Sequence, residues 1–264
     1  MSIWEYADDP IETSREICDE VTCIFCRLPL TIARRTDREA RPGELGGDST
    51  RVGVCQNCGW WAALRLDITR HDVADSAYYS YGAYGVLRSL DLADISTPLQ
   101  EVRDYLTVRY ERRFDIHPRL FEETVASVFS DYGYSAEVTA YTRDGGVDVI
   151  LQATDRRIGV QVKRYRNAIE AEQVRSFLGA LVTNNLTRGM FVTTSRFRSG
   201  ANDVAEQSSM RGYQIELVDA PRFYEALQVV QGKVSRSPQE WLELVRPRLR
   251  FLGRHIRAQP YYRK

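Results

Sequence analysis

Residues 144–165 read DGGVDVILQATDRRIGVQVKRY, and two short β-rich runs stand out in it, VDVIL and RIGVQVK, separated by a polar turn. Side chains alternate between the faces of a strand, so Gln161 and Lys163 point the same way. Asp148 lies among Val147, Val149 and Ile150, whose burial takes it out of water. Gly145 and Gly146 permit the sharp approach that delivers it to a strand start, and Asp144 beside them reads as a turn residue. A carboxylate in such apolar company is costly without a cation. That cation is Lys163, a metal ion, or both.

One carboxylate, one amide and one ammonium on adjacent strands suit phosphodiester hydrolysis. A hard divalent ion takes oxygen ligands, polarises the phosphate and lowers the pKa of a bound water. The ammonium orients that water or offsets developing charge. Upstream, HPRLFEETVASVFSDYGY reads as an amphipathic helix, with Leu120, Val125, Val128 and Phe129 on one face and Gly133 as its stop. Glu122 on that helix is placed to serve the same site directly or through water.

Working outward, SAEVTAYTR is a further strand before VDVIL. After RIGVQVKRY come a helix over EAEQVRSFLGALVTNN, an apolar strand RGMFVTTS, a helix over ANDVAEQSSMRG and a strand QIELVDA. The order α, β, β, β, α, β, α, β predicts a mixed sheet flanked by helices. ISTPLQEVRDYLTVRYERRF reads as a helix joining two domains, and two helices are expected around PRFYEALQVVQG and PQEWLELVRPRLRFLG.

The chain has 264 residues, 43% hydrophobic and 27% charged, enough for two domains with real cores. No segment is apolar for long enough to cross a bilayer and no secretion signal is seen, so a cytoplasmic protein with no membrane association is expected. The formal net charge is zero, so any polyanion partner must be met by local clusters. Those are Lys163, Arg164 and Arg166, then Arg196 and Arg198, then a tail with Arg246, Arg248, Arg250, Arg254, Arg257, Arg263 and Lys264.

All five cysteines lie in the first 58 residues. Cys23 with Cys26 and Cys55 with Cys58 form two CxxC knuckles, the spacing of a closed four-thiolate structural zinc site. Such a site has no open position for a substrate, so its role is architectural. Cys18, without a partner at ligand spacing, reads as a buried small hydrophobe. The insert RRTDREARPGELGGDSTR between the pairs reads as a loop. Trp60 and Trp61 are read as core rather than interface. Tyr78, Tyr79, Tyr81 and Tyr84 either pack the domains together or stack on an exposed base.

FEETVASVF…GY, TRDGGVDVIL, VQVKRY and GMFVTTSRF, in this order over roughly residues 112 to 220, together resemble the catalytic domain of Mrr-like (type IV) restriction endonucleases, in the PD-(D/E)xK nuclease superfamily. The resemblance implies a restriction-endonuclease-like α/β/α mixed-sheet domain behind an N-terminal zinc ribbon, and a metal-dependent DNA endonuclease. Asp148, Gln161 and Glu122 are then ligands of a catalytic Mg²⁺ or Mn²⁺, with Gln161 where most of the superfamily has an acid, and Lys163 is the catalytic lysine. It also implies a role in prokaryotic defence against foreign or modified DNA.

Arg164, Tyr165, Arg166, Thr194, Ser195 and Arg196 are expected to contact DNA, chiefly its phosphates. One such site cuts one strand, so a homodimer or larger assembly is expected, with a defence-system partner protein as activator in one variant of this reading. The expected division is a zinc ribbon over 1–95, the nuclease domain over 96–232 and a basic helical extension over 233–264. Two alternatives stay open: a catalytically inactive zinc-ribbon DNA-binding or scaffold protein, and a junction or RNA nuclease on the same fold.

Overall fold

The computed structural model describes residues 3–7, 14–38, 46–70, 75–140, 145–154, 156–231 and 237–258. The chain divides into two compact units, residues 1–89 with 234–264, and residues 90–233.

The first unit begins with β1 (Trp4–Tyr6), α1 (Ser14–Asp19), β2 (Thr31–Arg38), β3 (Gly46–Val54), β4 (Trp61–Arg70) and β5 (Asp75–Leu87). Its strands pair antiparallel in the order β1-β5-β4-β3-β2. The arginine- and glycine-rich insert expected as a loop instead lies largely within β2 and β3, with Arg34 opposite Arg51 and Arg35 opposite Thr50. Its charged residues conceal a period-two pattern in which Ala33, Thr50 and Val52 are buried. Trp60 and Trp61 are core residues, as their sequence context predicts. The tyrosine-rich segment lies on β5, where Tyr84 is buried and the Arg65 guanidinium lies over the Tyr81 ring. Cys18 is buried on α1, and desolvation pushes its thiol pKa up to about 12, as suits an inert packing residue.

The second unit comprises α2 (Leu99–Val108), a 3₁₀ turn (Tyr110–Phe114), α3 (Pro118–Asp131), β6 (Ser135–Val138), β7 (Val149–Ala153), β8 (Arg156–Lys163), α4 (Ala171–Thr183), β9 (Arg188–Thr193), α5 (Ser199–Met210), β10 (Gln214–Val218) and α6 (Ala220–Gln231). The expected order of elements is present. The sheet runs β10-β9-β8-β7-β6, with β8, β9 and β10 parallel and β6, β7 and β8 antiparallel. Helices α4 and α5 make the crossovers between parallel strands. They bury Val174, Phe177, Leu181, Ala201 and Val204 in one cluster with Phe191 and Ile215 of the sheet. Helix α3 starts on His117, whose Nδ1 accepts from the Arg119 N–H at 3.2 Å, with Pro118 at the first helical position. Its predicted apolar face is buried, and Gly133 leaves the helix at φ 96°. Helix α2, read as a joining helix, packs on α3 and α6 inside this unit.

The chain then returns to the first unit through α7 (Pro238–Val245) and β11 (Arg250–Ala258), which pairs antiparallel with β5. This corrects the expected helical extension over 233–264. Pro247 has no N–H to continue a helix, so the chain passes through a short 3₁₀ turn over Arg246–Arg248 and then extends. Trp241 of α7 stacks on Trp61 with ring centroids 5.5 Å apart. Among the described residues no helix is long and apolar enough to cross a membrane.

Candidate active site and metal centre

The ladder between β7 and β8 pairs Val149 with Val160, and the Asp148 N–H donates to the Val160 carbonyl at 2.8 Å. Asp148 therefore lies just ahead of the last rung, bonded to the strand that carries Gln161. Just before it the backbone turns away, with Gly145 at φ 51° and Gly146 at φ 83°. A Cβ on Gly146 would come within 3.0 Å of the Ala180 methyl on α4, so a side chain there would crowd α4 as well as strain the backbone. The turn removes the backbone acceptor that the next β8 N–H would otherwise use. Asp148 Oδ2 replaces it, accepting from the Val162 N–H at 2.6 Å. The carboxylate thus ends the ladder and is held in place by doing so.

Asp148 and Gln161 are both buried, 9% and 8% exposed, whereas Lys163 is half-buried at the end of β8. Gln161 and Lys163 both lie on β8, two residues apart. Asp144 lies outside the described residues.

Glu122 is on the first turns of α3. Its Oε2 accepts from Arg119 Nη1 at 3.1 Å, and the same nitrogen donates to the Thr139 carbonyl at 2.8 Å. The Thr139 N–H in turn donates to the Asp148 carbonyl at 2.9 Å, and the Thr139 hydroxyl donates to the Val147 carbonyl at 2.8 Å. Glu122 and the Asp148 backbone are thereby linked through Arg119 and Thr139. Arg119 also lies 3.3 Å from Glu123. Arg119 is not among the residues expected at the site, although its spacing of three and four residues from the two glutamates is the signal of a helical ion pair. Arg119→Ala is expected to lower stability by about 1–3 kcal/mol in urea denaturation, because it removes one charged donor from both the half-buried Thr139 carbonyl and Glu122.

The expected DNA contacts divide into two kinds. Arg164, Tyr165, Arg166 and Arg196 are exposed. Thr194 is not: it is fully buried and its hydroxyl donates to the Tyr165 carbonyl at 2.9 Å. Ser195 is also buried and donates to the Arg166 carbonyl at 3.2 Å, while the Thr193 hydroxyl donates to the Lys163 carbonyl at 3.0 Å. These three hydroxyls hold the exit of β8, and Ser195 also lines the open cleft beyond it. Arg164 donates to the Phe114 carbonyl at 2.8 Å, and Arg166 lies 3.3 Å from Asp115.

In the first unit, the Sγ atoms of Cys23, Cys26, Cys55 and Cys58 all lie within 4.8 Å of one another, with Cys23 and Cys58 at 3.6 Å. Tetrahedral zinc with bonds of about 2.3 Å sets its sulfurs roughly 3.8 Å apart, so the four atoms fit such an ion. The two knuckles are built alike. The N–H of Arg27 donates to the Cys23 carbonyl and that of Gly59 to the Cys55 carbonyl, both at 2.9 Å. Both residues are left-handed, Arg27 at φ 60° and Gly59 at φ 73°. Outer donors reach the cluster: Cys26 N–H to Cys23 Sγ at 3.4 Å and Asn57 Nδ2 to Cys26 Sγ at 3.3 Å. Hydrogen bonds among the thiols hold Cys23 and Cys55 below the ordinary thiol range, and Cys26 and Cys58 above it.

Residues 114–227 match the restriction endonuclease family model of the Mrr catalytic type. Over 133 residues the chain is 32% identical to the type IV methyl-directed restriction enzyme EcoKMrr of Escherichia coli, covering 47% of this chain and 42% of that protein. Over 89 residues it is 33% identical to the uncharacterized protein y4cE of Sinorhizobium fredii, covering 31% of this chain and 23% of that one. The chain thus spans less than half the length of either relative. Among solved structures it is similar to the MspJI restriction endonuclease in complex with a 27-mer oligonucleotide, at 17% identity and a TM-score of 0.37, covering 60% of this chain and 44% of that one. The family match lies inside the second unit and takes in Asp148, Gln161 and Lys163, so it is this unit that is similar to the Mrr catalytic domain.

Proposed function

We propose that this protein is a metal-dependent DNA endonuclease that restricts foreign or modified DNA in a prokaryotic cytoplasm. The observation that carries the reading is the junction of β7 and β8, where the buried Asp148 carboxylate bonds to the strand that carries the buried Gln161 amide and, two residues on, Lys163, inside the region that matches the Mrr catalytic model. Asp148, Gln161 and Glu122 offer hard oxygen donors suited to Mg²⁺ or Mn²⁺. When bound, such an ion supplies Lewis-acid polarisation of the phosphate and a water of lowered pKa. Lys163 offsets the negative charge that builds on the phosphoryl oxygens. Gln161 binds through a neutral oxygen and so contributes less to cation affinity than an acid in its place.

In the same proposal the four-cysteine cluster holds zinc with no open position, and folds the first unit without taking part in hydrolysis. One site per chain calls for a homodimer or larger assembly to break both strands, and a partner protein is a natural activator. Selection of modified DNA is proposed by likeness to the methyl-directed relative.

The test is cleavage of plasmid DNA, methylated and unmethylated, by the purified full chain with Mg²⁺, Mn²⁺ or EDTA. Nicking or linearisation that requires the ion is the expected result. Folded protein that binds duplex but leaves it whole under every condition would overturn the reading in favour of a DNA-binding scaffold. A preference for RNA or for branched DNA would change the substrate class.

A further inference from the structure

Strand β5 changes partners along the edge that faces away from β4. It pairs there with β11 over Asp75–Gly82 and with β1 over Gly85–Leu87. Where one partner gives way to the other, the first unit has an open cleft of about 440 Å³. Tyr6 and Ala7 line it from β1, Gly82 and Ala83 from β5, and Arg248 and Arg250 from the turn that leads into β11.

The walls are of two kinds. Ala7, Gly82 and Ala83 are small and apolar, whereas Arg248 and Arg250 bring two exposed guanidiniums. Among the described residues no carboxylate lines the cleft, so the ligand that suits it is an anion.

Tyr6 adds a demand of shape. Its ring packs on Trp61 with centroids 4.8 Å apart, and its hydroxyl donates to the Leu244 carbonyl at 3.4 Å. The Arg248 guanidinium lies over this anchored ring, 4.4 Å from its centroid. A guanidinium stacked on one ring keeps its second face for another flat ring and its N–H edge for an anion. Leu249 between the two arginines is extended, at φ −66° and ψ 131°, and both arginines reach the same cleft.

A flat ring joined to an anionic group is the chemistry of a nucleotide. The volume falls within the range of about 300–1,000 Å³ usual for small-molecule sites. Two guanidiniums also match one phosphate, whereas a protein that grips duplex DNA meets roughly six to ten. We infer that this cleft binds a free nucleotide, with its base stacked on Arg248 and its phosphate on Arg250. The occupant is a ligand and not a substrate: the cleft belongs to the first unit, while Glu122, Asp148, Gln161 and Lys163 belong to the second. The site therefore stands whether or not the chain cuts DNA.

Calorimetric titration of the full chain with AMP tests this, in EDTA so that no divalent ion recruits phosphate elsewhere. AMP is expected to bind about tenfold or more tighter than either adenosine or inorganic phosphate, because only AMP fills both halves of the cleft. Arg250→Ala is expected to weaken AMP binding by about tenfold or more. Arg248→Lys keeps the charge and loses the plane, so it should weaken AMP similarly while binding inorganic phosphate as wild type does. Both side chains are exposed, and native tryptophan emission reports that the first unit of each variant is folded. Failure of AMP, GMP, CMP and UMP alike to bind overturns the inference. So does wild-type affinity for AMP in both folded variants, since the nucleotide then sits elsewhere. Binding of a single-stranded oligodeoxynucleotide that both variants lose, with no mononucleotide bound, overturns it in favour of a nucleic-acid strand.

Discussion

Asp148→Asn is expected to abolish metal-dependent cleavage, by about three orders of magnitude or more, while leaving the protein as stable as wild type or more stable. The loss corresponds to about 4 kcal/mol of transition-state stabilisation, the scale on which a metal-bound anionic ligand acts. The retained fold follows from the hydrogen bond. Asp148 accepts from the Val162 N–H at 2.6 Å, and an asparagine carbonyl oxygen can accept the same bond without the cost of a buried charge. Residues at functional sites commonly trade stability for activity, and the substitution removes that conflict.

Asp148→Ala separates the two roles of the carboxylate. It leaves the Val162 N–H, at the end of the β8 ladder, without its acceptor, at a cost of about 1–3 kcal/mol. The pair of variants should therefore be equally inactive and unequally stable. Plasmid cleavage and urea melts on both, beside wild type, check this. If Asp148→Asn still cuts at a tenth of the wild-type rate, the metal ligand has been misassigned.

The second unit was largely legible in the sequence because its determinants are local. The period-two runs around Asp148 and Gln161, the capped amphipathic helix α3 and the alternation of helices with apolar strands each specify an element within a short window. The features that sequence pattern conceals depend on partners distant along the chain. Thr194 and Ser195 look like surface hydroxyls by composition, yet both are buried holding carbonyls about thirty residues upstream. Arg113 looks like one more exposed cation of the YERRF turn, until Thr194 is placed against it. In the first unit the charges of the insert concealed β2 and β3, and β11 finds its partner β5 from the other end of the chain. The cysteine cluster was the exception: thiol spacing reports a non-local contact in advance, because one ion must be reached by both knuckles.

That cluster sets the second large prediction. Cys55→Ser is expected to lose the proposed zinc and unfold the first unit. Binding by four thiolates contributes folding free energy of about 10–16 kcal/mol in zinc-finger peptides, far more than one hydrogen bond or packed side chain. Cys55 also anchors its knuckle, its N–H donating to the Trp60 carbonyl at 2.7 Å, and Trp60 is fully buried. The readout is favourable because the four tryptophans, Trp4, Trp60, Trp61 and Trp241, all belong to the first unit. Their fluorescence should shift to the red in Cys55→Ser as Trp60 and Trp61 meet water. Helices α2 to α6 belong to residues 90–233 and use none of these ligands, so much of the helical circular dichroism should persist. Cys18→Ser supplies the control. Cys18 packs beside Gly82 and the Ala83 carbonyl, away from the cluster, so this variant should keep its metal and show at most a modest loss of stability. Metal content by mass spectrometry decides between outcomes. A zinc-free Cys55→Ser protein with native tryptophan emission would sink the structural role of the site, and equal metal loss from Cys18→Ser would show that the four-thiolate assignment is wrong.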